Sequence, residues 1–415
     1  MLDLDTVRNN PQRVEEALRA KGISSPDLVD TLLEVDEERR AIITELEETQ
    51  ARQNDLSQQI GTLKREGKND EAEAVIEETS QLKEKINALK DEKQAAEAKQ
   101  ERLVLELPNI PHPSVPVGAD EDDNEVEETF GEIPPFDAFD AAPRPHWELV
   151  DEHDLVDLER GAKVTGSGFP FYVGKGARLQ RALLNFFLDR ARDRGYTEMQ
   201  APLFVNPKSA EGTGQLPDKD DLMYEMPRDD FYPIPTAEVP VTNFHRDEIL
   251  SAEDLPLQYC TYSPCWRREA GSYGADVRGL NRLHQFDKVE LDELLADAES
   301  ALDALELPYR RLLMCTGDMG FTQAKVYDLE VWSAAQERWL EVSSVSNFEA
   351  FQARRTKIRY RPEPEAKPEF VHTLNGSGLA FPRIVAALLE NNQQPDGSIE
   401  LPEALHEYTG FARIE

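Results

Sequence analysis

Positive charge is what this sequence has least of for its size. Its 415 residues hold 46 Lys and Arg against 82 Asp and Glu, a formal net charge of -36 at pH 7. Such an excess of one sign repels polyanions at low salt, so composition does not suggest a nucleic-acid partner. Two readings fit it. The protein either avoids nucleic acid, or it comes from a salt-saturated cytoplasm, where the Debye length falls to about 3 Å near 1 M and local basic contacts survive. Cysteine is also scarce: Cys260, Cys265 and Cys315 form no CxxC pair and leave an odd count. That argues against a disulfide framework and gives no ligand set for zinc, so no zinc is expected. No apolar run reaches the roughly eighteen residues needed to span a bilayer, and the opening MLDLDTVRNNPQRVEEAL has no secretory core. A cytoplasmic location without a membrane partner is expected, and the length predicts two or three domains.

What is present first is a three-four spacing of apolar residues. Leu28, Leu32, Val35, Ile42, Leu46, Thr49, Leu56, Ile60 and Leu63 keep one heptad register, with Arg39 and Gln53 at its gaps. After Gly67 the register resumes at Ala72, Val75, Thr79, Leu82, Ile86, Leu89, Ala96 and Leu103, interrupted by Lys93 and Gln100. This predicts an antiparallel coiled-coil hairpin over about 28–105. Gly67 ends the first helix and Asp70 with Glu73 forms a capping box for the second. At 1.5 Å per residue each helix is about 55 Å long, too long to lie wholly on a core, so the arm is expected to project. Residues 1–107 form the N-terminal domain in this reading, and the Pro- and acid-rich stretch 108–145 a linker. From His146 to Glu415 apolar helices and strand-like runs alternate, predicting a mixed core of helices and strands.

Three segments of that core stand out. Arg194-Gly195-Tyr196-Thr197-Glu198-Met199-Gln200-Ala201-Pro202 follows an amphipathic helix. Cys265-Trp266-Arg267-Arg268-Glu269-Ala270-Gly271 is separated by a Gly-rich stretch from Arg282-Leu283-His284-Gln285-Phe286-Asp287-Lys288-Val289-Glu290. Leu374-Asn375-Gly376-Ser377-Gly378-Leu379-Ala380-Phe381-Pro382-Arg383 lies near the end, where Pro382 can open a helix. Each alone reads as an ordinary turn, strand or helix start. In this order and spacing they resemble the three signature motifs of class II aminoacyl-tRNA synthetases. With Pro235-Thr236-Ala237-Glu238, Tyr327-Asp328-Leu329-Glu330-Val331-Trp332 and the N-terminal hairpin, the chain is similar to the seryl-tRNA synthetase family over essentially its whole length.

The resemblance implies an α+β fold, a class II antiparallel sheet core flanked by helices, with the N-terminal coiled-coil hairpin. It implies activation of serine with ATP and transfer to tRNA(Ser), with charging of tRNA(Sec) left open. Joining a carboxylate to the α-phosphorus needs cations to hold two anions in line. By resemblance Arg267 clamps the serine carboxylate and α-phosphate, while Arg282 and Arg383 hold the outer phosphates, with Arg268 a further ATP contact. Glu269 meets the adenine edge and Phe286 stacks on the ring. Glu341, Val342, Ser343 and Ser344 match the ATP-binding strand, with Glu341 and Ser344 as oxygen ligands for Mg²⁺. Thr236, Ala237, Glu238, Glu290, Asn375 and Ser377 form the serine pocket, whose buried partners read the hydroxyl. His284 resembles a general base but occupies a motif strand, where a structural role is expected. No protein nucleophile is needed, since the tRNA hydroxyl attacks the adenylate directly.

For tRNA the arm is the implied contact, through phosphates at Arg52, Lys64, Arg65 and Lys68 near the tip and Lys83, Lys85, Lys90 and Lys93 on the return helix. Shape and backbone carry such recognition. The ordinary alternative for any one of these is a solvated face of Glu–Lys pairs. A homodimer is expected from the family, and binding that tolerates molar salt from the charge. Two departures stand out: the stretch from Glu290 to Leu307 is about a dozen residues shorter than the strand, turn and helix expected there, and Phe381-Pro382 replaces smaller residues. A short stretch means either a truncated strand or a segment missing from the sequence. Two other functions stay open: a paralogue that loads serine onto a carrier protein, and a coiled-coil scaffold without catalysis.

Overall fold

The computed structural model describes residues 1–25, 27–136, 142–218, 221–269, 278–291 and 295–415. The chain divides into two compact units, Met1–Pro108 and Asn109–Glu415.

The N-terminal unit is built on two long helices, α1 (Leu28–Arg65) and α2 (Asn69–Leu105), packed side by side. Heptad positions supply the seam: Leu32, Val35, Leu46 and Leu56 of α1 and Ala72, Ile86, Leu89 and Ala96 of α2 are buried. Ile60, Leu63 and Val75 are only half-buried, so the seam thins toward the turn. At the other end the seam is polar. Arg8 donates Nε to Asp36 Oδ2 at 2.8 Å and a second nitrogen to Oδ1 at 2.7 Å, while Gln100 Nε2 donates to Asp36 Oδ1 at 2.7 Å. A fully paired polar group inside a seam fixes register, because any slip strands it. The turn departs from expectation. Gly67 takes φ +77°, as a helix exit requires. The second helix then begins at Asn69 behind Lys68 without a side-chain cap, so Asp70 lies in the first turn instead of capping it. There its charge still favours the helix dipole.

The second unit carries an eight-stranded sheet. In chain order the strands are β1 (Glu125–Phe130), β2 (Thr197–Met199), β3 (Tyr259–Trp266), β4 (Gln285–Leu291), β5 (Tyr309–Leu313), β6 (Lys325–Ser333), β7 (Arg338–Glu349) and β8 (Thr373–Ala380). Across the sheet they run β1-β5-β6-β7-β8-β4-β3-β2. Every pairing is antiparallel except that of β2 with β3. Helices α3 (His146–Glu152), α4 (Gly174–Asp193), α5 (Leu295–Ala304), α6 (Phe351–Thr356) and α7 (Phe381–Asn391) accompany it. Leu183, Phe187, Val289, Leu329, Phe381 and Leu388 belong to one buried core that joins α4 and α7 to the sheet.

The stretch 108–145, read from sequence as a linker, is corrected by this arrangement within its described part. It supplies edge strand β1, and Asn109 donates its amide to the carbonyls of Thr322 and Phe348 at 3.0 and 2.9 Å. The acid-rich strand EVEETF hid itself because an edge strand exposed on both faces has no alternation. Its glutamates meet Arg311, which lies 3.0 Å from Glu127 and 3.3 Å from Glu128 and also binds Glu299 at 2.7 Å. Phe130 stacks on Tyr309 at 4.7 Å. The shortened stretch after Glu290 is met by β4 ending at Leu291 and α5 starting at Leu295; residues 292–294 lie outside the described ones.

Candidate functional site

The pleat of β4 explains why its functional residues converge. Phe286, Lys288 and Glu290 alternate along one strand and therefore share a face. On β3 they pair with Cys265, Ser263 and Thr261, and on β8 Glu290 pairs with Ser377. The central strands thus carry a cavity of about 340 Å³ whose lining includes Arg267, Glu269, Arg282, Phe286, Lys288, Glu341, Val342, Ser377 and Arg383. Eight of these nine were singled out from sequence; Lys288 was not. Residues more than 110 positions apart in the chain face one space because β3, β4, β7 and β8 are neighbours.

Each arginine has a neighbour that holds it in place. Arg267 donates Nε to the Pro235 carbonyl at 3.2 Å and sets its guanidinium 5.2 Å from the Phe286 ring centre. Arg282 lies 3.4 Å from Glu269. Arg383, in the first turn of α7 behind Pro382, donates Nη1 to the Glu341 carbonyl at 2.6 Å and approaches its carboxylate at 3.3 Å. Its Nε donates to the Asn281 carbonyl at 2.9 Å. The cations stand where a helix N-terminus already favours anions. Glu269 and Leu379, beside the cavity and in β8, take φ of +50° and +114°, a conformation that costs energy in non-glycine residues and is held by its surroundings.

Asn281 leads to a buried network that sequence reading missed. His146 Nδ1 lies 2.7 Å from Glu390 Oε1, both fully buried, and His146 Nε2 accepts from the Leu280 N–H at 2.9 Å. Ser333 donates to the other Glu390 oxygen, and Gln336 bridges Ser333 and Asn281 at 2.8 Å each. Burial opposes ionisation of Glu390, yet these hydrogen bonds outweigh it and hold its carboxyl below the usual range. The α3 and α7 helices are thereby pinned to the strand entrance that carries Arg282. Residues 270–277, the remainder of the Gly-rich stretch before it, lie outside the described residues.

A second cluster adjoins the cavity. Thr236 donates to Glu290 Oε1, Asn375 Nδ2 donates to Glu290 Oε2 at 3.4 Å, and Lys288 pairs with Oε1 at 2.6 Å, all nearly buried. Glu238, whose N–H reaches Thr236 Oγ1 at 3.3 Å, has its carboxyl pushed up to about 7 by burial and then by Glu290. Small polar ligands fit such a cluster: one buried acid is charge-paired and the other titrates near neutrality. Ala237 packs its side chain among Val205, Ile234 and Val239, so only its backbone is free for a ligand.

Three residues considered from sequence lie outside the cavity lining. Arg268 pairs with Asp221 at 3.0 Å and is not among the residues lining the cavity. Ser343 donates its hydroxyl to the Ser377 carbonyl at 2.5 Å, locking β7 to β8. His284 meets Tyr224 OH at 2.8 Å and stacks on Phe169, a structural setting.

Among the described residues no group of three or more His, Cys, Asp and Glu could hold a metal by itself. The Glu341 strand still fits a hard cation that takes most ligands from water and phosphate. Opposite Ser344 in register stands Asp328, hydrogen-bonded to the Ser344 hydroxyl, with its carboxyl raised well above the usual range by burial and by Glu341. Its Oδ1 is buried without a hydrogen-bond partner.

On the arm, Arg52 pairs with Glu78 at 3.1 Å, Lys68 with Glu66 at 2.9 Å, Lys85 with Glu45 at 2.6 Å and Lys93 with Glu97 at 3.7 Å. Arg65 is exposed, with Nε on the Gly61 carbonyl at 3.0 Å. Lys64, Lys83 and Lys90 are exposed and form no ion pair among the described residues. No helix among the described residues is long and apolar enough to cross a membrane.

Known proteins share this architecture. Residues 1–111 match the seryl-tRNA synthetase N-terminal domain, and residues 223–392 the class II tRNA synthetase core domain of the G, H, P, S and T enzymes. The serine--tRNA ligase of Salinibacter ruber is 83% identical over 427 residues, covering 100% of this chain and 99% of the relative. The serine--tRNA ligase of Bacillus pumilus is 49% identical over 100% of both chains. Among solved structures, seryl-tRNA synthetase from Pyrococcus horikoshii complexed with ATP has a TM-score of 0.94 at 35% identity, covering 100% of this chain and 99% of that one. Full-length identity at this level, a shared fold and arginines gathered on one cleft lead to one conclusion: the chain belongs to the seryl-tRNA synthetase family of class II aminoacyl-tRNA synthetases.

Proposed function

We propose that this protein activates L-serine with ATP and transfers it to the 3′ end of tRNA(Ser), each step at the cleft between β3, β4, β7, β8 and the start of α7. The observation that carries this reading is the meeting of Arg267, Arg383 and Glu341 beside the Glu290 cluster. The serine carboxylate attacks the α-phosphorus, forming the mixed anhydride as pyrophosphate leaves. Arg267 bridges the two reacting anions; Arg282 and Arg383 receive the outer phosphates, bidentate guanidinium suiting phosphate oxygens. To do so they exchange Glu269 and Glu341 for the nucleotide. Freed Glu269 meets the adenine edge, and Phe286, already stacked under Arg267, meets the ring. Arg268 and Val342 border the nucleotide, and Ser343 fixes the strand.

Class II synthetases use ATP with a divalent metal. In our reading it is Mg²⁺, held by Glu341 and Ser344 and backed by Asp328, and it offsets phosphate charge when bound. Serine enters with its hydroxyl on Glu290, Thr236, Asn375 and Ser377, and its ammonium on Glu238, with the Ala237 backbone alongside. An analogue without the hydroxyl leaves buried polar groups unpaired, which is the source of discrimination. The tRNA terminal hydroxyl then attacks the carbonyl and AMP leaves.

The domains follow this division: residues 1–107 for tRNA, with an arm at about 28–105, and 146–415 for catalysis, to whose sheet the stretch 108–145 adds edge strand β1. Lys64, Arg65, Lys83 and Lys90 are the arm groups best placed for phosphates, with Arg52 and Lys68 available once their glutamates are displaced. We further place the enzyme in the cytoplasm, where its tRNA is found, as a homodimer working at high salt. Serine-dependent exchange of pyrophosphate into ATP tests the first step, and its absence refutes the enzyme reading in favour of a scaffold. Charging of tRNA separates the ligase from a carrier-protein paralogue, which would show exchange without charging; tRNA(Sec) serves as a second acceptor in the same assay.

A further inference from the structure

Glu238 poses a problem that the serine pocket does not solve by itself. A carboxylate that receives an ammonium has to be ionised, yet burial and the neighbouring Glu290 push this carboxyl up to about 7. Lys288 and Arg267 oppose that rise from β4 and the end of β3, and the nearest opposing group is a side-chain amide. Gln352, fully buried in the first turn of α6, donates Nε2 to Glu238 Oε1 at 2.6 Å.

The amide has only one workable orientation. On its nitrogen side lie two acceptors, the Glu238 carboxylate and the Thr213 carbonyl at 3.4 Å. On its oxygen side the Thr373 hydroxyl donates to Oε1 at 2.8 Å. Reversing the amide would set its oxygen against two acceptor oxygens, leaving the carboxylate and the buried Thr213 carbonyl unpaired, and would turn the Thr373 hydroxyl from donor to acceptor. A fixed donor that cannot itself accept a proton favours the ionised form of its partner. It also occupies one carboxylate oxygen, leaving the other for a ligand.

We infer that Gln352, oriented by Thr373, is a positioning residue that keeps Glu238 ionised and turned toward the amino group of the amino-acid substrate. The inference rests on the serine-pocket reading above. Gln352 lies on none of the cavity-lining strands of ATP binding, so its effect falls on the amino acid and not on the nucleotide.

Pyrophosphate exchange, measured from about pH 5.5 to 9 for the wild type and for Gln352→Leu, Gln352→Glu and Thr373→Val, tests this. Gln352→Leu is expected to raise the serine KM about tenfold or more and to leave the ATP KM within about twofold. Its kcat/KM for serine should turn on at a pH about one unit higher than in the wild type. Gln352→Glu should work below the point where the paired carboxyls share a proton and fail above it, reversing the wild-type trend. Thr373→Val should show a weaker version of the Leu phenotype, and Thr373→Ser should restore the wild type. Thr373 is only half-buried, so its variants give the reading if Gln352→Leu does not fold. An unchanged serine KM and pH profile in folded Gln352→Leu or Thr373→Val overturns the inference, as does an equal rise in both KM values. No serine-dependent exchange by the wild type would instead overturn the functional reading on which it stands.

Discussion

The two units of this protein solve the same problem, how to hold charged groups in place, by opposite means. In Met1–Pro108 charge sits mostly on the surface of two helices, in pairs such as Lys85–Glu45 at 2.6 Å that water screens. In Asn109–Glu415 charge is drawn inside. The Lys288–Glu290 ion pair and the Glu390 carboxylate, hydrogen-bonded to His146, are almost fully buried, and each is surrounded by further hydrogen bonds. A screened pair is cheap to lose and free to exchange its partner. A buried pair is costly to break, because the survivor is left as an uncompensated charge. The first arrangement suits a surface that meets another macromolecule, and the second suits a site whose geometry has to be set before the substrate arrives.

The difference can be broken first at the cleft. Arg383→Ala should lower pyrophosphate exchange by about a thousandfold or more, as expected for a group that stabilises transferring phosphate charge; normal exchange would remove Arg383 from the site. Deleting residues 30–100 should leave exchange near the wild-type rate while reducing tRNA charging by about a hundredfold or more, since phosphate contacts dominate such affinity. Equal charging by the truncated protein would end the proposed role of the arm. His146→Ala should cost about 3 kcal/mol of stability in chemical denaturation, because Glu390 is then buried without its partner. The same substitution should slow exchange through the loosened Leu280–Asn281 segment, and full stability would show the network to be redundant. A surface pair such as Lys85–Glu45 should cost under about 1 kcal/mol in the same assay.

The smallest effect concerns pH. The Glu238 carboxyl is raised in the folded protein, so between its ordinary unfolded value of 4.5 and about 7 the folded state binds more protons. Stability from this group is therefore full below about 4.5 and declines as pH rises through 7. Serine binding should run the other way, with kcat/KM for serine rising about tenfold between roughly pH 6 and 7.5. A flat profile would mean that Glu238 does not titrate in the free enzyme.

Legibility followed the same divide. The arm was readable because a heptad needs only neighbours three and four apart, and Leu32, Leu46, Ile86 and Leu89 are buried where the spacing puts them. Its details were not: the helix start depended on how the chain leaves Gly67, and Asp70 missed the cap by two positions. Arg267, Glu269, Phe286, Glu341 and Arg383 were named from motif resemblance, and they do face one cavity. Lys288, Asn281, Gln352 and His146 carried no local signal, since each matters only for what it touches across the fold. Strand β1 was mistaken for part of a linker because its glutamates find Arg311 more than 180 positions away.

By itself the sequence determined periodicity, charge balance and family, because these are properties of adjacent residues and of their order. Only the tertiary structure decided which charges are buried together, which amide faces which carboxylate and where an acid-rich segment joins the sheet. Those outcomes depend on contacts between strands far apart in the chain, and on the low-dielectric surroundings that packing creates around them.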